Sequence, residues 1–270
     1  MNQILALITK GLNHPLFAWG TLPFSLLLFG TLLGSRQTSF QFLPTFLLYI
    51  FLLLTSLLER ILIKKVKKAL EYPFVLNHIY WGAMIVVLIL IWTTVNWLSF
   101  GLLLLYLSFI YVAHSPVLKM EQTIFYLVLQ LFFKVIIISY LSYYVQTRFI
   151  EWDLLLYLLP NILLFLSLIV YRQRGMFTEE DSRYQYFIEL YYLPLMIGSY
   201  AAGVVSIIVL LFAQNATLAQ VALYALPLLF LFILLALKKF RLSMRMDNYL
   251  NVIIMLTLVL YAITIHYPGK

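Results

Sequence analysis

The 270 residues are 64% hydrophobic and only 10% charged, with a mean hydropathy of +0.99, which leaves too little polar side-chain area to cover a soluble globule of this size. The formal charge of +8 invites a nucleic-acid reading, but that reading needs a basic face on a soluble domain, and the chain has none. The lack of cysteine excludes disulfides, thiolate nucleophiles and cysteine-held clusters.

Lipid must therefore supply most of the solvent. A hydrocarbon core about 30 Å thick takes roughly 20 helical residues, and apolar runs of that length recur from one end of the chain to the other. A short amphipathic helix is expected first, with Ile4, Leu5, Ile8 and Leu12 on the face that lies in the membrane interface. It lacks the cationic start and small-residue cleavage site of a removable signal. Spans are then expected at 15–34, 40–58, 77–95, 97–113, 123–146, 153–171, 186–212, 217–237 and 249–267. The runs are too long and too uniform for barrel strands, and a helix is the other backbone form that satisfies itself in lipid. The expected fold is all-α: a polytopic membrane protein with nine transmembrane helices in one bundle, a single integral-membrane domain over 1–270.

The cations alternate between turns. Lys10 precedes the first span, and Arg60, Lys64, Lys65, Lys67 and Lys68 follow the second. Lys119, then Arg172, Arg174 and Arg183, then Lys238, Lys239, Arg241 and Arg245 fall on the same side. Arg36, Arg148 and Lys270 fall on the other, and Lys134 lies within the fifth span. The positive-inside rule then puts the N-terminus in the cytoplasm and the C-terminus outside, which an odd number of spans satisfies.

Two cytoplasmic connections, 59–76 and 172–185, are longer and more charged than orientation requires. In the first, Ser56, Glu59, Arg60 and Ile63 share a helical face. The segment reads either as a cluster on anionic headgroups or as a cradle for a phosphate-bearing substrate. In the second, Glu179, Glu180 and Asp181 lie between Arg172, Arg174 and Arg183. Such acids either hold a divalent cation while the guanidiniums clamp a diphosphate, or form an ordinary solvated surface. Between these segments, Lys119 follows the tight turn at His114-Ser115-Pro116 and is either an anion contact or a topological charge. Lys134, with Gln130 one turn before it, is a candidate because ionisable groups inside a span are costly and face a cavity or a partner. Asn161 in the sixth span is its expected neighbour, and no second charge is expected within a span. His14, His78, His114 and His266 each lack a second ligand at metal-binding spacing. The 20 tyrosines and 21 phenylalanines either belt the interfaces or line a tunnel for a lipid tail.

Nine expected helices with enlarged cytoplasmic loops after the second and sixth resemble the UbiA-type intramembrane prenyltransferase superfamily. Ser115-Pro116-Val117-Leu118-Lys119 is similar to its Pro-x-x-Lys turn, and Tyr143-Tyr144-Val145-Gln146-Thr147 with Trp152 to its passage from helix 5 to helix 6. His14-Pro15 through Pro23 is similar to the start of its first helix. The resemblance implies transfer of a polyprenyl group from a polyprenyl diphosphate to a small aromatic acceptor, with Mg2+ held by two Asp-rich motifs. Those motifs fall on Thr55 to Glu59, where a single acid remains as Glu, and on Gly175 to Glu179, where the first acid is Gly. The implied metal ligands are Glu59, Glu179, Glu180 and Asp181, and the implied diphosphate contacts are Arg60, Lys64, Lys119, Arg172 and Arg174. Two further outcomes stay open: a catalytically inactive lipid-binding or accessory membrane subunit, and a small transporter built around Lys134. A multi-pass place in a bacterial plasma membrane is expected.

Overall fold

The computed structural model describes residues 14–68, 74–115, 118, 120, 123–174, 183–236 and 246–265. The interfacial helix expected on Ile4 to Leu12 lies outside them. Every regular element among the described residues is helical: α1 (Pro15–Ser35), α2 (Phe42–Lys68), α3 (Phe74–Thr94), α4 (Trp97–Ala113), α5 (Ile124–Thr147), α6 (Leu154–Gln173), α7 (Arg183–Ala213), α8 (Leu218–Ala222), α9 (Ala225–Ala236) and α10 (Met246–Thr264). Five stretches, Phe42–Ile63 within α2 and the whole of α5, α6, α7 and α10, are long and apolar enough to cross a membrane. Leu104 and Leu105 on α4, Val128 and Phe132 on α5, and Val205 and Val209 on α7 all face outward. Apolar surface of that extent is foreign to water-soluble monomers and natural in lipid. The chain is a membrane-embedded, multi-pass helical protein.

Two expectations about the elements need correction. The run 217–237 is not one helix, because Pro227 has no N–H to give and its ring crowds the carbonyl four residues earlier, at Leu223. The chain accordingly turns at Leu223–Tyr224 between α8 and α9. The short α8 is held by a capping box, in which Thr217 and Gln220 each accept from the other's backbone N–H. The second span does not end at residue 58 either. Leu, Ile and Lys are good or tolerable helix formers, and α2 continues through the basic cluster to Lys68. Glu59 therefore lies within the apolar stretch Phe42–Ile63 rather than in a loop.

α1 is the hub, packed against α2, α5 and α10. Its approach to α5 is set by Gly30 and Gly34, a small-xxx-small pair of the kind that lets membrane helices meet backbone to backbone. A Cβ at Gly30 would overlap the Ser142 hydroxyl and the Ser139 carbonyl oxygen, and one at Gly34 would lie 2.7 Å from Gln146 Cβ. Against α10, Phe29 stacks on Tyr261 with ring centroids 4.8 Å apart, and Ser25 Oγ donates to Asn251 Oδ1 at 2.8 Å. α10 is tied onward to α7 by a 2.7 Å bond between Tyr200 and Thr257, and to α6 by Tyr261, whose hydroxyl donates to the Tyr157 carbonyl at 3.0 Å.

The two described arginines on the sparsely charged side have structural partners. Arg36 donates to the carbonyls of Ala262, Ile263 and Ile265 at the end of α10. Arg148 donates to those of Thr94 and Val95 at the end of α3. Both complete helix C-termini whose last carbonyls have no helical partner and whose dipoles favour a cation.

Gly30→Leu is expected to lower the unfolding temperature in detergent sharply, since overpacking costs about 1–3 kcal/mol and here the obstruction includes backbone. Gly82, with nothing within 4 Å of an added Cβ, is the control: Gly82→Ala should leave that temperature unchanged or raise it.

Candidate functional site

The face predicted at the end of α2 is real. Ser56, Glu59, Arg60 and Ile63 all line one cavity of about 470 Å³. Across it stand Tyr171, Arg172 and Arg174 from the end of α6, together with Asp247 in the first turn of α10. Trp19 and Leu22 of α1 complete the wall. The ends of α2 and α6, more than a hundred residues apart in sequence, thus meet at one end of the bundle.

Three guanidiniums dominate the electrostatics. Arg174 lies over the Tyr192 ring, 4.1 Å from its centroid, a cation–π contact that leaves its N–H groups for other partners. Arg172 Nη2 is 3.9 Å from Asp247 Oδ2, a loose pairing rather than a bidentate clamp. Glu59 adds no net negative charge, because Lys134 neutralises it. With Asp247 as the one other carboxylate on the described wall, the cavity keeps a positive excess suited to an anion.

Behind the cavity wall lies a buried polar cluster. Lys134 Nζ donates to both oxygens of Glu59, at 2.6 and 2.8 Å. Gln130 Nε2 donates to Glu59 Oε1 at 3.3 Å, and His114 Nε2 lies 3.5 Å from the same oxygen. The side chains of Glu59 and Lys134 are only 13% and 12% exposed, so each needs the other to be tolerable in an apolar surround. Lys134 sits in a π-helical segment, Leu131–Ile137, inside α5. Such segments are rare and recur at functional sites. A second, smaller pocket of about 50 Å³ lies against this cluster, bounded by Lys134, Gln130 and Glu59 and by Arg172 and Gln173.

The structure thus brings together Glu59, Arg60, Gln130, Lys134, Arg172 and Arg174. Lys119, Glu179, Glu180 and Asp181 lie outside the described residues, as does the side chain of Lys64. Asn161 is fully buried in α6, one turn from Phe165, and lines neither cavity. The expectation that no second charge lies within a span is corrected by Glu59 itself. His114 was passed over because its partner is 55 residues away in sequence, and no local spacing signals that contact. Asp247 and Gln173 were missed for the same reason.

The described donors do not suit magnesium. Both Glu59 oxygens are engaged by Lys134, and among the described residues no group of three or more His, Cys, Asp or Glu side chains could hold a metal ion. Mg2+ is held in near-octahedral geometry at about 2.0–2.1 Å through one or two free carboxylates together with waters and substrate phosphates, and Glu59 is not free for that role. No family model, no curated protein and no solved structure matches this chain.

Lys134→Met should be strongly destabilising, by about 3–5 kcal/mol, because it strands the Glu59 carboxylate without its counter-charge. Adding Glu59→Gln should recover much of that loss. Thermal unfolding of the two single variants and the double variant in the same detergent measures the coupling, and strictly additive losses would show that the pair is not the stabilising contact.

Proposed function

We propose that the chain spans the membrane nine times with a cytoplasmic N-terminus, and that its wide cavity binds the diphosphate head of a polyprenyl lipid entering from the cytoplasmic leaflet. The supporting observation is the convergence of Arg60, Arg172 and Arg174 on one cavity at the ends of α2 and α6. Guanidinium forks match phosphate oxygens in pairs and stay charged at any physiological pH. The excess of cations over acids on the described wall favours a polyanion, and the apolar Leu22 and Ile63 beside them suit the first carbons of a lipid tail.

In that setting the chain acts as a divergent UbiA-type prenyltransferase. The allylic C–O bond breaks, its electron pair leaves with the diphosphate, and a nucleophilic carbon or oxygen of a small aromatic acceptor bonds to the allylic carbon and loses a proton. The arginines neutralise charge that builds on the departing oxygen, a role fixed cations fill at other phosphoryl sites. The second reading is a binder without transfer, and a specific contact favours it: the one acid remaining from the first motif, Glu59, is held by Lys134.

Farnesyl diphosphate binding to the full chain in lipid nanodiscs tests the site. Arg60→Gln, Arg172→Gln and Arg174→Gln should each weaken it about 10- to 100-fold, from about 1.5–3 kcal/mol per charge-assisted bond, while farnesol binding stays unchanged. Three unaltered affinities would sink the reading. Release of pyrophosphate in the presence of aromatic acceptors separates the transferase from the binder.

A further inference from the structure

We infer that the small pocket beneath the wide cavity is an oxyanion subsite, in which the Gln173 side-chain amide and Arg172 Nε donate to a terminal oxygen of an anionic ligand. The inference rests on the reading of the wide cavity as an anion site, and adds to it a specific donor pair and a size limit.

Gln173 ends α6 and is 1% exposed. Its Oε1 accepts from the Tyr184 hydroxyl at 2.7 Å, which leaves the NH2 end of the amide turned away from Tyr184. Gln173 and Arg172 both line the pocket, and the Gln173 amide nitrogen and Arg172 Nε are buried without a hydrogen-bond partner among the described residues. A buried donor left unsatisfied pays its desolvation without return, so two on residues that line one pocket mark a place for an acceptor. The carboxylate on the pocket wall does not fill that role, because Glu59 already receives two bonds from Lys134 and one from Gln130.

Volume and continuity define the occupant. About 50 Å³ is too small for an aromatic ring or an isoprene unit and large enough for one carboxylate or the outer oxygens of a phosphoryl group. The pocket shares Leu22, Glu59 and Arg172 with the wide cavity, so an oxyanion there can belong to a ligand whose remainder lies in the larger space. Leu26, Phe165 and Leu168 close the other walls and keep the dielectric low, which strengthens each donor. Tyr184 is a positioning residue: it touches the amide, not the ligand.

The test uses the full chain in nanodiscs with farnesyl diphosphate, farnesyl monophosphate and benzoate as probes, read by calorimetry alongside the unfolding temperature. Gln173→Leu keeps the bulk and removes the donor. If the subsite takes a terminal phosphoryl group, diphosphate binding falls about tenfold while monophosphate binding holds. If it takes a separate carboxylate, benzoate binding falls alone. Tyr184→Phe should reproduce the same selectivity more weakly. Should Gln173→Leu fail to fold, Gln173→Asn, which withdraws the amide by one methylene, is read the same way. Equal affinities of folded Gln173→Leu and the unsubstituted chain for every probe would overturn the inference and leave a pocket that holds water. Arg60 and Arg174 line the wide cavity alone, so loss of phosphorylated probes in Arg60→Gln and Arg174→Gln without selectivity in Gln173→Leu would overturn the subsite and spare the cavity. Failure of the unsubstituted chain to bind any probe would overturn both.

Discussion

A carboxylate and an ammonium in contact within an apolar surround constrain everything near them. Glu59 and Lys134 lie 75 residues apart in sequence and 2.6 Å apart in space, and neither is tolerable there without the other. The pair pins α2, near the close of its apolar stretch, to the middle of α5, at the π-helical turn that carries Lys134. α5 is in turn locked to α1 by the close approach at Gly30 and Gly34. With α1 set against α10 by the Phe29–Tyr261 stack, the ends of α2, α6 and α10 are left facing one another around an open cavity.

That frame separates two electrostatic environments. Glu59 and Lys134 cancel one another, and Gln130 and His114 complete the shell around the carboxylate, so the buried cluster is saturated and structural in character. The arginines around the wide cavity are loosely engaged by comparison: Arg172 meets Asp247 only at 3.9 Å, and Arg174 rests on an aromatic face. Guanidiniums placed beside an opening without close carboxylate partners keep their capacity for oxyanions. The same contrast accounts for Gln173, whose acceptor end is satisfied by Tyr184 and whose donor end is not.

Much of the architecture was legible in the residues. The helical stretches fall close to the expected spans, since length and apolarity set them. The grouping of Ser56, Glu59, Arg60 and Ile63 followed from helical periodicity alone. Two elements departed for local reasons: Pro227 splits the run 217–237, and the lysine-rich segment after Glu59 continues a helix because nothing in it stops one. Lys134 stood out as a charge within a span, and Gln130 beside it, but its counter-charge had been assigned to a loop by placing the end of α2 too early.

Composition and periodicity by themselves determined an all-helical, membrane-embedded chain, the approximate places of its long apolar helices, and the arginines that follow the second and sixth expected spans. Only the tertiary structure decided that Glu59, on the cavity wall, is paired with Lys134, that His114 and Asp247 join the site, that Asn161 lines neither cavity, and that Gln173 borders a pocket with its amide nitrogen unpaired among the described residues. The reason is physical. Helices that face lipid on one side and protein on the other are apolar nearly all round, so periodicity does not reveal which face turns inward. That choice is made by close packing at small residues and by the few buried polar pairs, contacts between residues far apart along the chain.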